Sequence, residues 1–331
     1  MAVEKTAVRT NSFDLLRLAA ALMVFWSHQF VMMGVPEIHS PVFNGWLGVN
    51  IFFAISGYLN VQSVLDNPSW WRFLVRRARR IYPALVGLSV FCIALGLAVS
   101  TVSPDIFWAR VPTFVLKNSA ILFGLEHSLP GVFEGNPYPS AMNGSLWTLP
   151  SEIKLYIYLA IVAVAVRYRP VLFLVVLAAF FVGLLIWFHV TTKSVETAYF
   201  SQFAVVFLAG ALFALIERIH GIRAAVIVTM GLAAMAALTS PVVAMLPAIA
   251  LPAILVGKMQ SPAWLRPPID ISYGVYLYAF PMQQLIASYG LPFATSLVIS
   301  LFATLALAVA SALLIEQPAL RWRSRQTLVA K

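Results

Sequence analysis

An all-α, polytopic membrane protein is the fold class predicted for this chain of 331 residues, and three observations predict it. Apolar residues make up 61% of the sequence and charged residues 10%, whereas a soluble domain is about one quarter charged. Apolar runs of spanning length recur from one polar break to the next. The basic residues are distributed unevenly between the connections that these runs define. Together these exclude a soluble globule, a disordered chain and a secreted disulfide scaffold. Cys92 is the single cysteine, so no disulfide or thiolate metal site can form within one chain, and a small core residue is expected there.

A hydrocarbon core of about 30 Å needs roughly 20 apolar residues per crossing. Such runs fall near 13–34, 46–65, 81–102, 152–167, 170–190, 200–217, 224–240, 243–257, 271–289 and 293–315. Ten crossings place both termini on one side. Eighteen of the 22 basic residues then lie on that side, leaving Arg110, Lys117, Lys154 and Lys193 opposite. The asymmetry predicts cytoplasmic termini and accounts for the net charge of +10 as topology, with no call for a nucleic-acid partner. The opening MAVEKTAVRTNSFD is too charged for the apolar core of a cleaved signal, so the first span is expected to be retained. One integral domain over 1–331 is predicted, with cytoplasmic tails at 1–12 and 316–331 and an outer region at 103–151. Within that region the short apolar stretch 113–125 is expected to re-enter, lie at the interface or join an outer lobe, since a full crossing would invert every later loop. The outer region either caps a site or is a simple connector.

Ionisable groups inside spans are costly and narrow the search for chemistry. The first span carries Asp14, Arg17 and His28. Arg17 and His28 are eleven residues apart, about 16 Å of helical rise, and at about 100° per residue they share nearly one face. His28 is either a packed structural histidine or a general base for a hydroxyl. Arg17 either snorkels beside Asp14 or binds an anion through its fork. In GVNIFFAISGYL, Ser56 and Gly57 suit close helix packing or a polar path. In WWRFLVRRARRIYP, Arg72, Arg76, Arg77, Arg79 and Arg80 serve as a cytoplasmic anchor or as a phosphate socket, with Arg76 and Arg80 on one helical face. In NGSLWTLPSEIKLYIYL, Ser151 or Thr148 is a candidate cap and Glu152 favours the positive helix end; alternatively Glu152 orients His28 or binds the acceptor. His39, His127, His189 and His220 lack partners at ligand spacing, so no metal site is expected.

These blocks, followed by ISYGVYLYAFP, come in an order that resembles the acyltransferase 3 family of integral-membrane sugar O-acyltransferases, and they extend from Phe13 to Pro281. The resemblance implies a ten-helix bacterial inner-membrane enzyme. It would move an acetyl or other acyl group from acetyl-CoA, or another acyl-CoA, to a hydroxyl of a lipid-linked or cell-surface glycan such as O-antigen, exopolysaccharide or a nodulation glycan. It implies His28, Arg17 and Glu152 as catalytic residues and Arg72, Arg76, Arg77 and Arg80 around the donor. Trp147, Asn143, Ser56 and Tyr273 are assigned to the acceptor. Expected partners are the lipid bilayer, the glycan and either a second copy or polysaccharide-assembly proteins. Ala279 in YLYAFP excludes the second histidine that many relatives carry there, and the chain ends too soon after IEQPALRWRSR for an appended hydrolase-like domain. A proton-coupled transporter or flippase is the competing class, weakened by the absence of inverted repeats.

Overall fold

The computed structural model of the protein describes residues 11–37, 44–122, 124–190 and 195–320. Lys5, Arg9, His39, Lys193, Arg321, Arg323, Arg325 and Lys331 lie outside the described residues. Among the described residues the fold is all-α: α1 Phe13–Met32, α2 Gly45–Asp66, α3 Trp70–Val99, α4 Pro104–Ala120, α5 Leu149–Ala165, α6 Pro170–Val190, α7 Val195–His220, α8 Ile222–Ala237, α9 Pro241–Lys258, α10 Ser272–Ala287 and α11 Phe293–Ser311. A 3-10 turn, Ser145–Thr148, leads into α5, and a π turn, Ala312–Glu316, extends α11.

Eight of these helices are long and apolar enough to cross a membrane. All ten expected spans coincide with helices, but α8 and α10 have only 16 residues each. Helix α10 is covered on every side because it occupies the middle of the bundle, where almost all of its residues are buried. Helix α3 starts well before the expected 81: its 30 residues run on from the arginine-rich stretch without a break, capped where Ser69 Oγ accepts from the Arg72 amide at 3.4 Å. The arginines therefore project from a rigid extension of a span. The stretch 113–125 is not one element, since α4 begins at Pro104, ends at Ala120 and packs on α3.

The start of α1 is pinned to the end of α9. The Ser12 amide donates to the Gly257 carbonyl at 2.9 Å and its hydroxyl to the Met259 carbonyl at 2.9 Å. A side chain at Gly257 would strike the Phe13 ring, with an added Cβ only 2.2 Å from it, and that ring in turn stacks on Tyr58 at 5.6 Å. Beneath it, the Tyr58 hydroxyl donates to Glu217 at 2.8 Å while Lys258 pairs with the same carboxylate, so α2, α7 and α9 are tied together. Phe13, at the edge of this knot, lies about one helical turn before Arg17 on α1.

Helices α2 and α7 form the most extensive contact in the molecule. An added Cβ at Gly57 would lie 1.9 Å from the Phe207 carbonyl oxygen, and one at Gly210 would lie 2.2 Å from that of Ala54. Small residues on both helices thus let the backbones touch, the usual device where lipid offers no hydrophobic drive between helices. Of the two alternatives for the Ser56–Gly57 pair, each residue takes one. Gly57 faces α7, and Ser56, about 100° round the helix, faces a polar chamber.

The region 103–151, expected on the outer side, is fastened to α10. Asn136 Nδ2 donates to the Gln284 carbonyl at 2.8 Å and Gln284 Nε2 donates to the Tyr138 and Ala141 carbonyls at 2.7 and 3.0 Å. Glu126 accepts from Arg110 at 2.8 Å and from Lys117 at 3.2 Å, which joins α4 to the following loop. These bonds hold the region against α10 and against itself.

Candidate active site

Helices α1, α2, α3, α5 and α10 line a cavity of about 100 Å³. That is several times the roughly 10–15 Å³ needed to admit a water molecule. Its wall includes Arg17, Ser56, Arg77, Arg80, Glu152 and Tyr273 from the residues predicted by sequence, together with Asn60, Tyr156 and Tyr276. Three arginines thus line one partly open cavity within a membrane bundle.

Two of these arginines share a carboxylate that sequence reasoning did not single out. Arg80 Nη2 donates to Asp270 Oδ2 at 2.7 Å, and Arg17 Nη1 reaches the same oxygen at 3.4 Å while donating to Asp14 at 2.5 Å. The other oxygen of Asp270 accepts from the Ser272 amide at 3.0 Å and hydroxyl at 2.6 Å. Burial by itself would raise the Asp270 carboxyl, but Arg80 and Arg17, with the Ser272 hydroxyl bond, hold it well below the usual carboxylate range. Asp270 sits in the α9–α10 connection, two residues ahead of Ser272, where its sequence signal is that of an ordinary turn residue. Only the fold brings it to α1 and α3.

Arg77 lines the chamber with its guanidinium over the Phe73 ring at 5.5 Å. Arg76, expected to act with Arg80, instead turns to the end of α2 and donates to the Ser63 carbonyl and hydroxyl, each at 3.2 Å. The chamber therefore takes Arg77 and Arg80, and Arg76 is outside its wall. Arg72 is exposed on the first turn of α3, also outside.

Glu152 lies one turn into α5, and its carboxylate accepts from the Tyr156 hydroxyl, which exchanges a hydrogen bond with Ser56 at 3.0 Å. Tyr156 is the i+4 partner of Glu152, the spacing at which helical side chains meet. The expected cap is not formed. Thr148 occupies the N-cap position without a side-chain bond to the helix, and its hydroxyl pairs with the Tyr276 hydroxyl at 2.7 Å. Glu152 shares the chamber with the arginines and not with His28, so an orienting bond from Glu152 to His28 is not what the structure holds.

His28 is outside the chamber wall, its ring edge-on to Phe280 at 5.4 Å and its buried Nδ1 without a hydrogen-bond partner. The connection runs along α10. Tyr273 and Tyr276 line the chamber, and Phe280 follows at i+7 on the same face, so one stripe of α10 passes from the chamber to the histidine. Helix α1 is uninterrupted from Arg17 to His28 and packs along α10. On its far side Phe280 meets Gly144, where an added Cβ would lie 2.7 Å from the ring.

Trp147 is 39% exposed and packs against Tyr199 and Phe203 at 5.0 and 5.4 Å, beside the chamber residues Thr148 and Leu149. Asn143 differs from expectation: its Nδ2 donates to the Leu277 carbonyl at 2.9 Å and its Oδ1 accepts from the Ser145 amide at 3.0 Å. The amino end of that buried amide ties the segment to α10 and the carbonyl end closes a local turn at Ser145, so both ends are taken up within the protein. Tyr273 lines the chamber and its hydroxyl donates to the Ile81 carbonyl at 3.3 Å.

The profile of the acyltransferase domain family, acyltransferase 3, matches residues 10–316. The chain belongs to this family. It is 32% identical over 292 residues to an O-acetyl transferase of Shigella phage Sf6, an alignment covering 84% of this chain and 86% of the relative. It is also 34% identical over 172 residues to nodulation protein 10 of Rhizobium leguminosarum bv. viciae, covering 47% of this chain and 45% of that protein. No solved structure matches. Within this acyltransferase, Arg17, Arg77, Arg80 and Glu152 are the charged residues of the chamber wall.

Proposed function

We propose that this acyltransferase moves an acetyl group from acetyl-CoA to a hydroxyl of a lipid-linked or cell-surface glycan in the bacterial cytoplasmic membrane, crossing it ten times with both termini inside. The observation that carries this reading is that Arg17, Arg77 and Arg80 line one chamber with Glu152. Guanidinium forks suit the phosphates of a CoA donor better than ammonium groups do. Arg17, Arg77 and Arg80 hold the donor through its phosphates, and the thioester end of its arm reaches along α1 toward His28. His28 takes the acceptor's hydroxyl proton as its oxygen attacks the thioester carbonyl. The new C–O bond forms, the C–S bond breaks, and the same proton passes to the departing thiolate. Ser56 and Tyr273 edge the path, Glu152 positions it through Tyr156, and Trp147 offers a sugar ring an aromatic face beside the chamber.

The test is transfer of labelled acetyl from acetyl-CoA to a panel of lipid-linked and polymeric glycans by purified protein in lipid discs. Arg77→Ala and Arg80→Ala are expected to raise the donor KM about tenfold or more, since one charge-assisted hydrogen bond is worth about 1.5–3 kcal/mol. Absence of transfer to every glycan, with no binding of acetyl-CoA, overturns the reading. Gly144→Ala probes the histidine end separately. Overpacking costs about 1–3 kcal/mol, and here it presses on the Phe280 ring against which His28 stands. Turnover is expected to fall about tenfold with donor KM unchanged; an unaltered kcat would show that the Phe280 contact does not hold His28 in place.

A further inference from the structure

Two polar atoms of the chamber residues are buried without a hydrogen-bond partner: Asn60 Oδ1 and Arg77 Nε. Asn60 is 1% exposed. Its amide has only one orientation available. Nδ2 donates to the Ser56 carbonyl at 2.8 Å and to the Ser56 hydroxyl at 3.0 Å. A carbonyl only accepts, so the amino end must face it and Oδ1 is left as an acceptor. The Arg77 guanidinium is held over the Phe73 ring, and its Nε carries a hydrogen that only donates.

An orphaned polar atom in a buried site is costly, and a few such atoms in a native protein point to a missing ligand or water. Asn60 and Arg77 both line the chamber, and the acceptor and the donor they leave without partners are the complement of a secondary amide, which presents an N–H and a C=O. We infer that the chamber binds a secondary amide of the acyl donor's arm, with Asn60 as acceptor for its N–H and Arg77 Nε as donor to its carbonyl. This rests on the CoA reading above, because the pantetheine arm of CoA carries two secondary amides between thioester and phosphates. Asn60 is then a specificity residue for the donor, placed one helical turn from Ser56 on α2.

Ligand-dependent thermal unfolding of the full chain in detergent tests this with three probes: acetyl-CoA, S-acetylpantetheine, and a polyether thioacetate of the same length that has no amide. Sites built to hydrogen-bond a group reject analogues that lack it. The wild type is expected to bind S-acetylpantetheine at least about tenfold more tightly than the polyether thioester. Asn60→Leu and Asn60→Ala should erase that preference, leave polyether binding unchanged and weaken acetyl-CoA about tenfold. Equal binding of the two short thioesters by the wild type means that water alone satisfies Asn60, and it overturns the inference whether or not the variants fold. Retention of the preference in a folded Asn60 variant overturns it too. If acetyl-CoA itself produces no shift, the donor reading fails; if acetyl-CoA binds but no amide preference exists, only the amide contact fails.

Discussion

Asp270→Ala lowers the unfolding free energy by about 2–3 kcal/mol, because it strips the carboxylate from Arg80 and removes one of two carboxylates from Arg17. Breaking a fully buried ion pair costs about 3–5 kcal/mol. The smaller figure applies here because the Arg80 side chain is 34% exposed and Arg17 keeps Asp14. The loss is specific to the charge left behind, so adding Arg80→Met to Asp270→Ala returns part of the stability, in a double-mutant cycle read by thermal unfolding in detergent. An additive cycle would show that Asp270 and Arg80 are not coupled. The pH dependence has a definite sign. A carboxyl held below its ordinary pKa of about 4 stabilises the fold at and above that pKa and loses the contribution as pH falls through its lowered value. The gap between wild type and Asp270→Ala is therefore flat from about pH 5 to 8 and closes only in stronger acid. The same substitution frees Arg17 and Arg80 to reorient, so the donor KM rises with it.

Gly57→Val destabilises the protein by about 3 kcal/mol or more and removes most folded material on extraction. Overpacking ordinarily costs about 1–3 kcal/mol because side chains give way. Here the added carbon meets the Phe207 carbonyl oxygen at 1.9 Å and carbon at 2.8 Å, which are backbone atoms of α7. The helices must separate, and Ser56 moves away from Tyr156 as they do. Gly210→Val is expected to match it, and the double variant to cost less than the sum, since one separation serves both. Full additivity in detergent-solubilised unfolding would mean that the two glycines do not share one contact.

Much of the fold was legible because lipid imposes length and polarity on each crossing. The expected spans fall on helices, and the buried Cys92 is the small core residue that its surroundings implied. Boundaries were less legible where they depend on partners. The arginine stretch falls before the span expected from 81 but is the first part of α3, because Ser69 caps it and Phe73 is buried beneath it. In the chamber, the candidates from α1 and α5 were visible as expensive charges in apolar runs and those from α3 as an arginine cluster beside one. Asp270, Asn60 and Tyr156 were not, since a turn aspartate, a helix asparagine and an aromatic in an apolar run each have ordinary local explanations. Asn143 illustrates the reverse: a polar residue in a suggestive motif that folding consumed as a tether.

By itself the sequence determined the membrane class, the helical composition and the family, because apolar run length, charge distribution and motif order are properties of the chain read in one dimension. Tertiary structure alone decided which arginines meet, and that one carboxylate from a distant turn holds two of them. It also decided that Glu152 joins the arginines while His28 stands farther along α1 against Phe280. The physical reason is that each of these pairings depends on the rotation and crossing of packed helices. Those are set by where glycines let backbones touch and where buried hydrogen bonds find partners far away in the chain.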